Sequence, residues 1–143
     1  MGNYIDADDV EERMGTPTYY NLMSKVSRDE VATAIANIIS RAEAKVDMYI
    51  ARSWEVPVPE SGVVQEWAFR IVEYEMYKKA MGNDVPLKYK TSYEEVIKEL
   101  KEAGAAIITI PDATRKTHGI SLDVKSERAL FTKRNFYGRD YYL

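Results

Sequence analysis

The chain has 143 residues and a formal net charge of −3, with 45% hydrophobic and 30% charged side chains, a composition typical of one globular domain. It contains no cysteine and one histidine, so disulfides, thiolate metal sites, cysteine nucleophiles and histidine-based catalytic triads are excluded or nearly so. No apolar run approaches the ~20 residues that a membrane-spanning helix needs, and we expect no membrane partner.

Two short helices are predicted at the start of the chain. Asp6 is positioned to cap the segment ADDVEERM, whose first turn carries carboxylates that suit the positive end of the helix dipole. Gly15 follows as a stop signal, and Pro17 stands at the start of a second short element over residues 16–25. Capping explains the acidic cluster around Asp6 better than a Mg²⁺ site does, and no spacing matches a calcium loop.

The first of two long helices is predicted over residues 28–53. Ser27 and Glu30 have the spacing of a capping box in front of it. Apolar side chains then recur at helical spacing, which indicates one buried face. They are Val31, Ile35, Ile38, Ile39, Ala42, Val46, Tyr49 and Ile50.

The second long helix is predicted over residues 62–80. The preceding residues 54–59 contain two prolines and cannot be helical, and Ser61 is placed as the cap. The helix ends at Gly82, and its wide apolar arc predicts a central position in the domain. A polar line runs along it through Glu66, Arg70 and Glu73.

The pattern changes after a third helix. Ser92 and Glu95 form another capping-box pair, which opens a helix over residues 92–104. The β-branched segment 105–110 (AAIITI) is then typical of a strand, and the alternation of residues 120–124 predicts a second one.

These elements predict a mainly α fold. We expect a small helical bundle with two long helices and shorter ones, followed by a C-terminal β-strand or hairpin and an extended arm. Residues 1–105 form the bundle, and residues 106–143 form the strand and arm of the same domain.

The last thirteen residues, 131–143, are named the C-terminal arm, and they combine aromatic with basic side chains. Aromatic residues and arginine are enriched at protein–protein hot spots. The residues that we expect to dock are Phe131, Lys133, Arg134, Phe136, Tyr137 and Arg139.

Charge is unevenly spread between residues 113–143 and the rest of the chain. From Ala113 onward there are seven Lys or Arg against three Asp or Glu, while the preceding residues hold 13 against 20. This asymmetry suits head-to-tail contacts between copies of the chain or a tail that binds an acidic surface, and solvated surface charge is the alternative interpretation. The arm itself docks either on a partner or on its own domain; in the second case Phe131 and Phe136 would fold back into the core in a hairpin with residues 120–124.

Three segments, in order, resemble the small head–tail connector family of Mu-like tailed bacteriophages. Tyr4-Ile5-Asp6 with residues 9–15 is similar to the Tyr-x-x…Asp-Leu-x-x-Arg-Phe-Gly start of that family. Residues 46–57 (VDMYIARSWEVP) resemble its Ile-Asp-x-Tyr-Leu-x-x-Arg-Tyr-x-Leu-Pro block, and residues 130–138 (LFTKRNFYG) resemble a Val-Phe-Ser-Arg-Asp-x-Leu-x-Gly motif. Arg134 departs from that motif, where an acidic residue is expected, and residues 106–126 match nothing in it.

The resemblance implies a non-enzymatic component of the virion neck. Such a protein is in the host cytoplasm before assembly and then forms a ring with itself, twelve-fold in the virion, around the portal protein. It extends the DNA channel with at most non-specific proximity to DNA, and it presents a surface to the next neck or tail-completion protein. We expect no cofactor and no metal, because the sequence has no Gly-rich phosphate loop, no cysteine and one histidine.

A DNA-binding accessory protein of phage packaging or regulation is the alternative function. Its contacts would come from the basic residues Arg115, Lys116, Lys125, Arg128, Lys133 and Arg134. Binding through these cations should weaken steeply with salt.

Overall fold

The computed structural model of the chain describes residues 4–59 and 61–116. Within these residues there are five α-helices and no named β-strand, which confirms the predicted helical bundle. The helices are α1 (Ala7–Met14), α2 (Thr16–Leu22), α3 (Val31–Ile50), α4 (Gly62–Met81) and α5 (Leu87–Gly104), with 3-10 turns at Arg28–Glu30 and Gly82–Asp84. None of these helices is long and apolar enough to cross a membrane.

The core lies between α3, α4 and α5, which pack against one another. The apolar face predicted for α3 is confirmed, because seven of its eight side chains are buried and Tyr49 is half-buried. Each fully buried aliphatic or aromatic side chain contributes about 1.5–3 kcal/mol. Packing of these faces, rather than helix propensity alone, therefore holds the bundle together.

Stacked tyrosines join α4 to α5, and they show that the two helices run antiparallel. The ring centroids of Tyr74 and Tyr93 lie 4.2 Å apart, and those of Tyr77 and Tyr89 lie 4.0 Å apart. As the residue number rises on α4, its partner on α5 falls. The Nζ of Lys45 on α3 donates to the Tyr93 hydroxyl at 2.7 Å, so the third core helix also contacts this pair.

The N-terminal segment is tied to α3 by buried polar groups. The Glu43 carboxylate accepts hydrogen bonds from the backbone N–H groups of Tyr4, at 2.8 Å, and Ile5, at 3.0 Å. The Tyr4 hydroxyl donates to Asp47 Oδ1 at 2.6 Å and accepts from the backbone N–H of Val58 at 3.2 Å. Tyr4 therefore connects the start of the chain to α3 and to the proline-containing segment after it.

The predicted caps of α1 and α4 are confirmed. The Asp6 carboxylate accepts from the Asp9 N–H at 2.9 Å, and the Asp9 carboxylate accepts from the Asp6 N–H at 3.1 Å. Two of the backbone donors at this helix end are thereby satisfied reciprocally. The Ser61 hydroxyl likewise accepts from the Val64 N–H at 3.3 Å.

The two other predicted capping boxes are wrong. Ser27 makes no side-chain cap bond, since residues 28–30 form a 3-10 turn and α3 starts only at Val31. Ser92 lies inside α5, which begins at Leu87 directly after Pro86. Residues 87–91, which the sequence did not predict as helical, belong to α5 because Tyr89 stacks on Tyr77 of α4.

The strand predicted over residues 105–110 is wrong as well. These residues form turns, in which Ala106 has φ +62° and the N–H of Ile107 donates back to Glu102 O at 2.8 Å. β-Branched side chains favour a strand only where a neighbouring strand can pair with them. No described residue pairs with this segment, so its side chains are placed individually: Ile110 is buried, whereas Ile107 is exposed.

The tail seam, defined here as residues 53–55 against 114–116, fixes the end of the described chain. The N–H of Glu55 donates to Thr114 O, and the N–H of Lys116 donates to Ser53 O, both at 2.8 Å. These bonds surround an isolated antiparallel bridge between Trp54 and Arg115. The second predicted strand, residues 120–124, lies outside the described residues.

Candidate functional site

The predicted docking residues lie outside the described residues, as do His118 and four of the six candidate DNA contacts. The docking residues are Phe131, Lys133, Arg134, Phe136, Tyr137 and Arg139. Of the candidate DNA contacts, Arg115 and Lys116 are described, and both belong to the tail seam. The Arg115 guanidinium lies 5.8 Å from the Trp54 ring centroid, which places this cation on an aromatic face.

A network of ion pairs joins α1 to α4 along the predicted polar line. The two terminal nitrogens of Arg13 each lie 2.8 Å from an oxygen of Glu66, and its Nε lies 3.3 Å from Glu73 Oε2. The Nε of Arg70 donates to Glu66 at 2.9 Å. Hydrogen bonds from Arg13 first, and also from Arg70, lower the pKa of Glu66 below its usual range. The Glu66 carboxylate is thus fully engaged within the protein.

An acidic groove opens beside this network. Its volume is about 610 Å³, and it lies between the start of α4, the middle of α5 and the chain that follows α5. It is lined by Glu66, Trp67, Arg70, Glu99, Pro111 and Asp112, together with residues 61–63. A second cavity of about 420 Å³ continues past Arg70 toward Arg13 and the first turn of α5.

The groove carries negative charge that the described residues do not neutralise locally. Three carboxylates face one guanidinium in its lining. Glu99 accepts a hydrogen bond from the Trp67 indole at 2.8 Å, and this donor is neutral. In the described part of the chain no Lys or Arg forms an ion pair with Glu99 or Asp112. The groove is therefore suited to a cationic group.

The apolar part of the groove is formed by Val63, Trp67 and Pro111. The Val63 side chain is 40% exposed, although it lies in the first turn of a well-packed helix. Pockets of a few hundred Å³ with apolar walls and few polar groups are typical ligand sites. The groove combines the two features that would recognise an aromatic and basic segment.

Sequence reasoning found one wall of this site and missed the rest. The polar line of α4 was visible as a helical pattern, but Arg13 is 53 residues away from Glu66 in the chain and carries no local signal. Asp112 lines the groove and has φ +62°, a left-handed conformation that Asp adopts more readily than most residues do. The Pro111-Asp112 pair indicated a turn and gave no hint of a binding wall.

No group of three His, Cys, Asp or Glu side chains is placed to hold a metal ion within residues 4–59 and 61–116.

Comparison with known protein families matches the chain over most of its length. The family model described as "Bacteriophage Mu, Gp36" matches residues 4–122. Of the three segments that carry the sequence resemblance, the first two lie inside this match and residues 130–138 lie beyond it. No curated protein and no solved structure matches the chain.

Proposed function

The chain belongs to the bacteriophage Mu Gp36 family, and we propose that it is a structural protein of the virion neck, a head–tail connector. In this role it forms a ring on the portal protein, extends the DNA channel and joins the capsid to the next neck or tail-completion protein. It catalyses no reaction, and it is in the host cytoplasm before assembly. The family match over residues 4–122 carries this proposal.

The two matched segments that resemble connectors meet in the structure. Tyr4 belongs to the first segment and Asp47 to the second, and their side chains form a hydrogen bond of 2.6 Å. The Tyr4 hydroxyl also accepts from Val58, directly beyond the second segment. Motif residues that are 43 positions apart therefore form one partly buried unit, which supports a shared fold rather than a chance likeness of short segments.

The exposed apolar side chains support assembly into a ring. Met81 and Leu87 flank the connection between α4 and α5, and Leu87 is 76% exposed. The other large apolar side chains exposed among the described residues are Met48, Val56, Val63 and Ile107, at the opposite end of the bundle, where α4 begins. An α-helix of the length of α4, 20 residues, rises about 30 Å. Two separate apolar surfaces suit a heterologous contact, in which each subunit binds a different patch of the next.

The arm supplies the contact with other neck proteins in this proposal. Phe131, Phe136 and Tyr137 act as aromatic anchors, and the cations Lys133, Arg134 and Arg139 pair with carboxylates of the portal protein or of the next neck protein. The double variant Phe136→Ala/Tyr137→Ala should lose binding to the portal protein of the same phage while its melting temperature changes little. A large fall in melting temperature would place these side chains in the core of the monomer instead.

Ring formation is tested by light scattering over a wide concentration range, with and without portal rings, and by negative-stain imaging of the same samples. The connector proposal predicts closed rings with a central hole, or particles bound to the portal. Leu87→Ser should reduce assembly without lowering stability, while Lys90→Ser, an exposed change on the same helix, should have no effect. A chain that stays monomeric and never binds the portal would contradict the proposal.

A further inference from the structure

We propose that the acidic groove is the docking site of the chain's own C-terminal arm, residues 131–143. The arm occupies the groove in the free subunit and leaves it when another protein binds the arm. This inference does not depend on the connector role, because it concerns the isolated chain.

Charge complementarity is the first reason for this assignment. The arm contains three basic residues and one acidic residue. In the groove, Glu66 is already paired with Arg13 and Arg70, whereas Glu99 and Asp112 have no Lys or Arg partner in the described part of the chain. Two carboxylates are therefore available for cations, and burial beneath a docked segment would strengthen each such pair relative to an exposed one.

The shape of the groove agrees with the aromatic part of the arm. A volume of about 610 Å³ lies within the range of pockets that hold small ligands. Val63, which is 40% exposed, and Pro111, which is also exposed, form apolar walls on which an aromatic ring can pack, whereas Trp67 is 2% exposed and adds little surface of its own. Five aromatic residues are present in the thirteen-residue arm, so one or two rings can enter the groove while neighbouring cations reach its carboxylates.

The chain also brings the arm near the groove. Asp112 lines the groove and is four residues before Lys116, which the tail seam fixes in place. Fourteen residues then lie between Lys116 and Phe131, and a connection of that length can span up to about 50 Å. The arm can thus return to its own domain without strain on the seam.

The arm should bind the groove of its own chain rather than that of a second copy, because its effective concentration near its own groove is higher. A short connection holds the arm at an effective concentration of about 1 mM near its own groove. A free subunit at micromolar concentration meets other arms far less often. The same groove on a neighbouring copy becomes competitive only when assembly raises the local concentration.

The absence of cysteine from the chain permits a direct test, because a single Gly138→Cys change gives one attachment point for a nitroxide spin label. In the isotope-labelled full-length protein, docking should broaden the amide signals of Gly62 and Val63 and the indole signal of Trp67. The broadening should be independent of protein concentration and should weaken at high salt, since the charge pairs are screened.

The groove variant Glu99→Gln/Asp112→Asn removes the two available charges and keeps the acceptor for the Trp67 indole. It should restore most of the lost signal, whereas the matched variant Asp29→Asn/Glu94→Gln, which removes two exposed charges elsewhere, should not. Broadening that is equal in all three proteins would overturn the proposal. So would an absence of broadening, or broadening that occurs only in a mixture of spin-labelled and isotope-labelled chains, because the latter places the arm on a second copy.

Discussion

Removal of the Glu43 carboxylate should detach the N-terminal segment from α3. Glu43 is 5% exposed, and one of its oxygens accepts from the backbone N–H groups of Tyr4 and Ile5, which are also buried. In Glu43→Ala both donors lose this acceptor and a cavity is left behind. In Glu43→Gln a neutral oxygen of the same shape remains as an acceptor.

The magnitude follows from the number of donors. A buried donor that loses its partner costs about 1–3 kcal/mol, which gives about 2–6 kcal/mol for the two N–H groups. Water that enters the cavity, together with relief of the desolvation cost of a buried carboxylate, offsets part of this loss. We therefore expect Glu43→Ala to lower the free energy of unfolding by about 2–4 kcal/mol. Glu43→Gln should lower it by about 1 kcal/mol, because charge-assisted bonds are roughly twice as strong as neutral ones.

Urea denaturation at neutral pH, followed by circular dichroism, measures this difference, with exposed Glu94→Ala as the control. The melting temperature of Glu43→Ala should fall by roughly 6–12 °C for a domain of this size. Hydrogen exchange at the Tyr4 and Ile5 amides should accelerate in the same variant. If Glu43→Ala unfolds like the Glu94→Ala control, the two hydrogen bonds do not hold the N-terminal segment, and the reasoning is refuted.

Two further predictions concern α3 and its packing. In Gly104→Ala the new Cβ would meet the backbone carbonyl of Tyr49, so we expect a loss of about 1–3 kcal/mol in urea denaturation. Gly62→Ala, whose Cβ has open space, should be neutral or stabilising. Burial, and secondarily the charge of Glu43, raises the pKa of Asp47 above its usual value of 3.8. The folded protein therefore holds this proton more tightly than the unfolded chain does, so the stability that Asp47 contributes is present below the unfolded pKa and is lost as pH rises through the folded pKa. Asp47→Asn should therefore gain stability relative to the natural protein between about pH 3.5 and pH 7; an equal difference at both values would contradict this assignment.

Helical periodicity predicted the long helices because each buries one continuous face. The apolar positions of α3 follow directly from the sequence, and the start of α4 follows from Ser61 and the prolines before it. The prediction of α5 failed at its start because a local signal, Ser92 with Glu95, competed with a tertiary contact. The stacking of Tyr89 on α4 extends the helix back to Leu87, and no local pattern encodes that contact.

The strand prediction at residues 105–110 failed for a related reason. β-Branched composition reports how well side chains fit a pleated surface, but a strand also needs a partner for its backbone. Here the chain turns back on α5 through the Ile107–Glu102 hydrogen bond, and Ile110 enters the core singly. The groove was equally inaccessible to sequence reasoning, because its carboxylates come from separate elements that meet only in the folded domain.

Residues 111–116 form a wall of the groove and also lead into the C-terminal part of the chain that carries the arm. The groove and the arm are therefore structurally linked. Asp112 lines the groove, while Arg115 lies over Trp54, whose indole donates to the Ala103 carbonyl at 2.9 Å. The start of the tail is thus fixed to the ends of α3 and α5. To reach the groove, the arm must reverse direction after the tail seam. To reach the portal protein, it must instead extend away from the seam. On our proposal, departure of the arm exposes the carboxylates of Glu99 and Asp112. A subunit can then bind a basic surface of the next component only after another protein has bound its arm. Binding of the arm and recruitment of the next component would then occur in a fixed order.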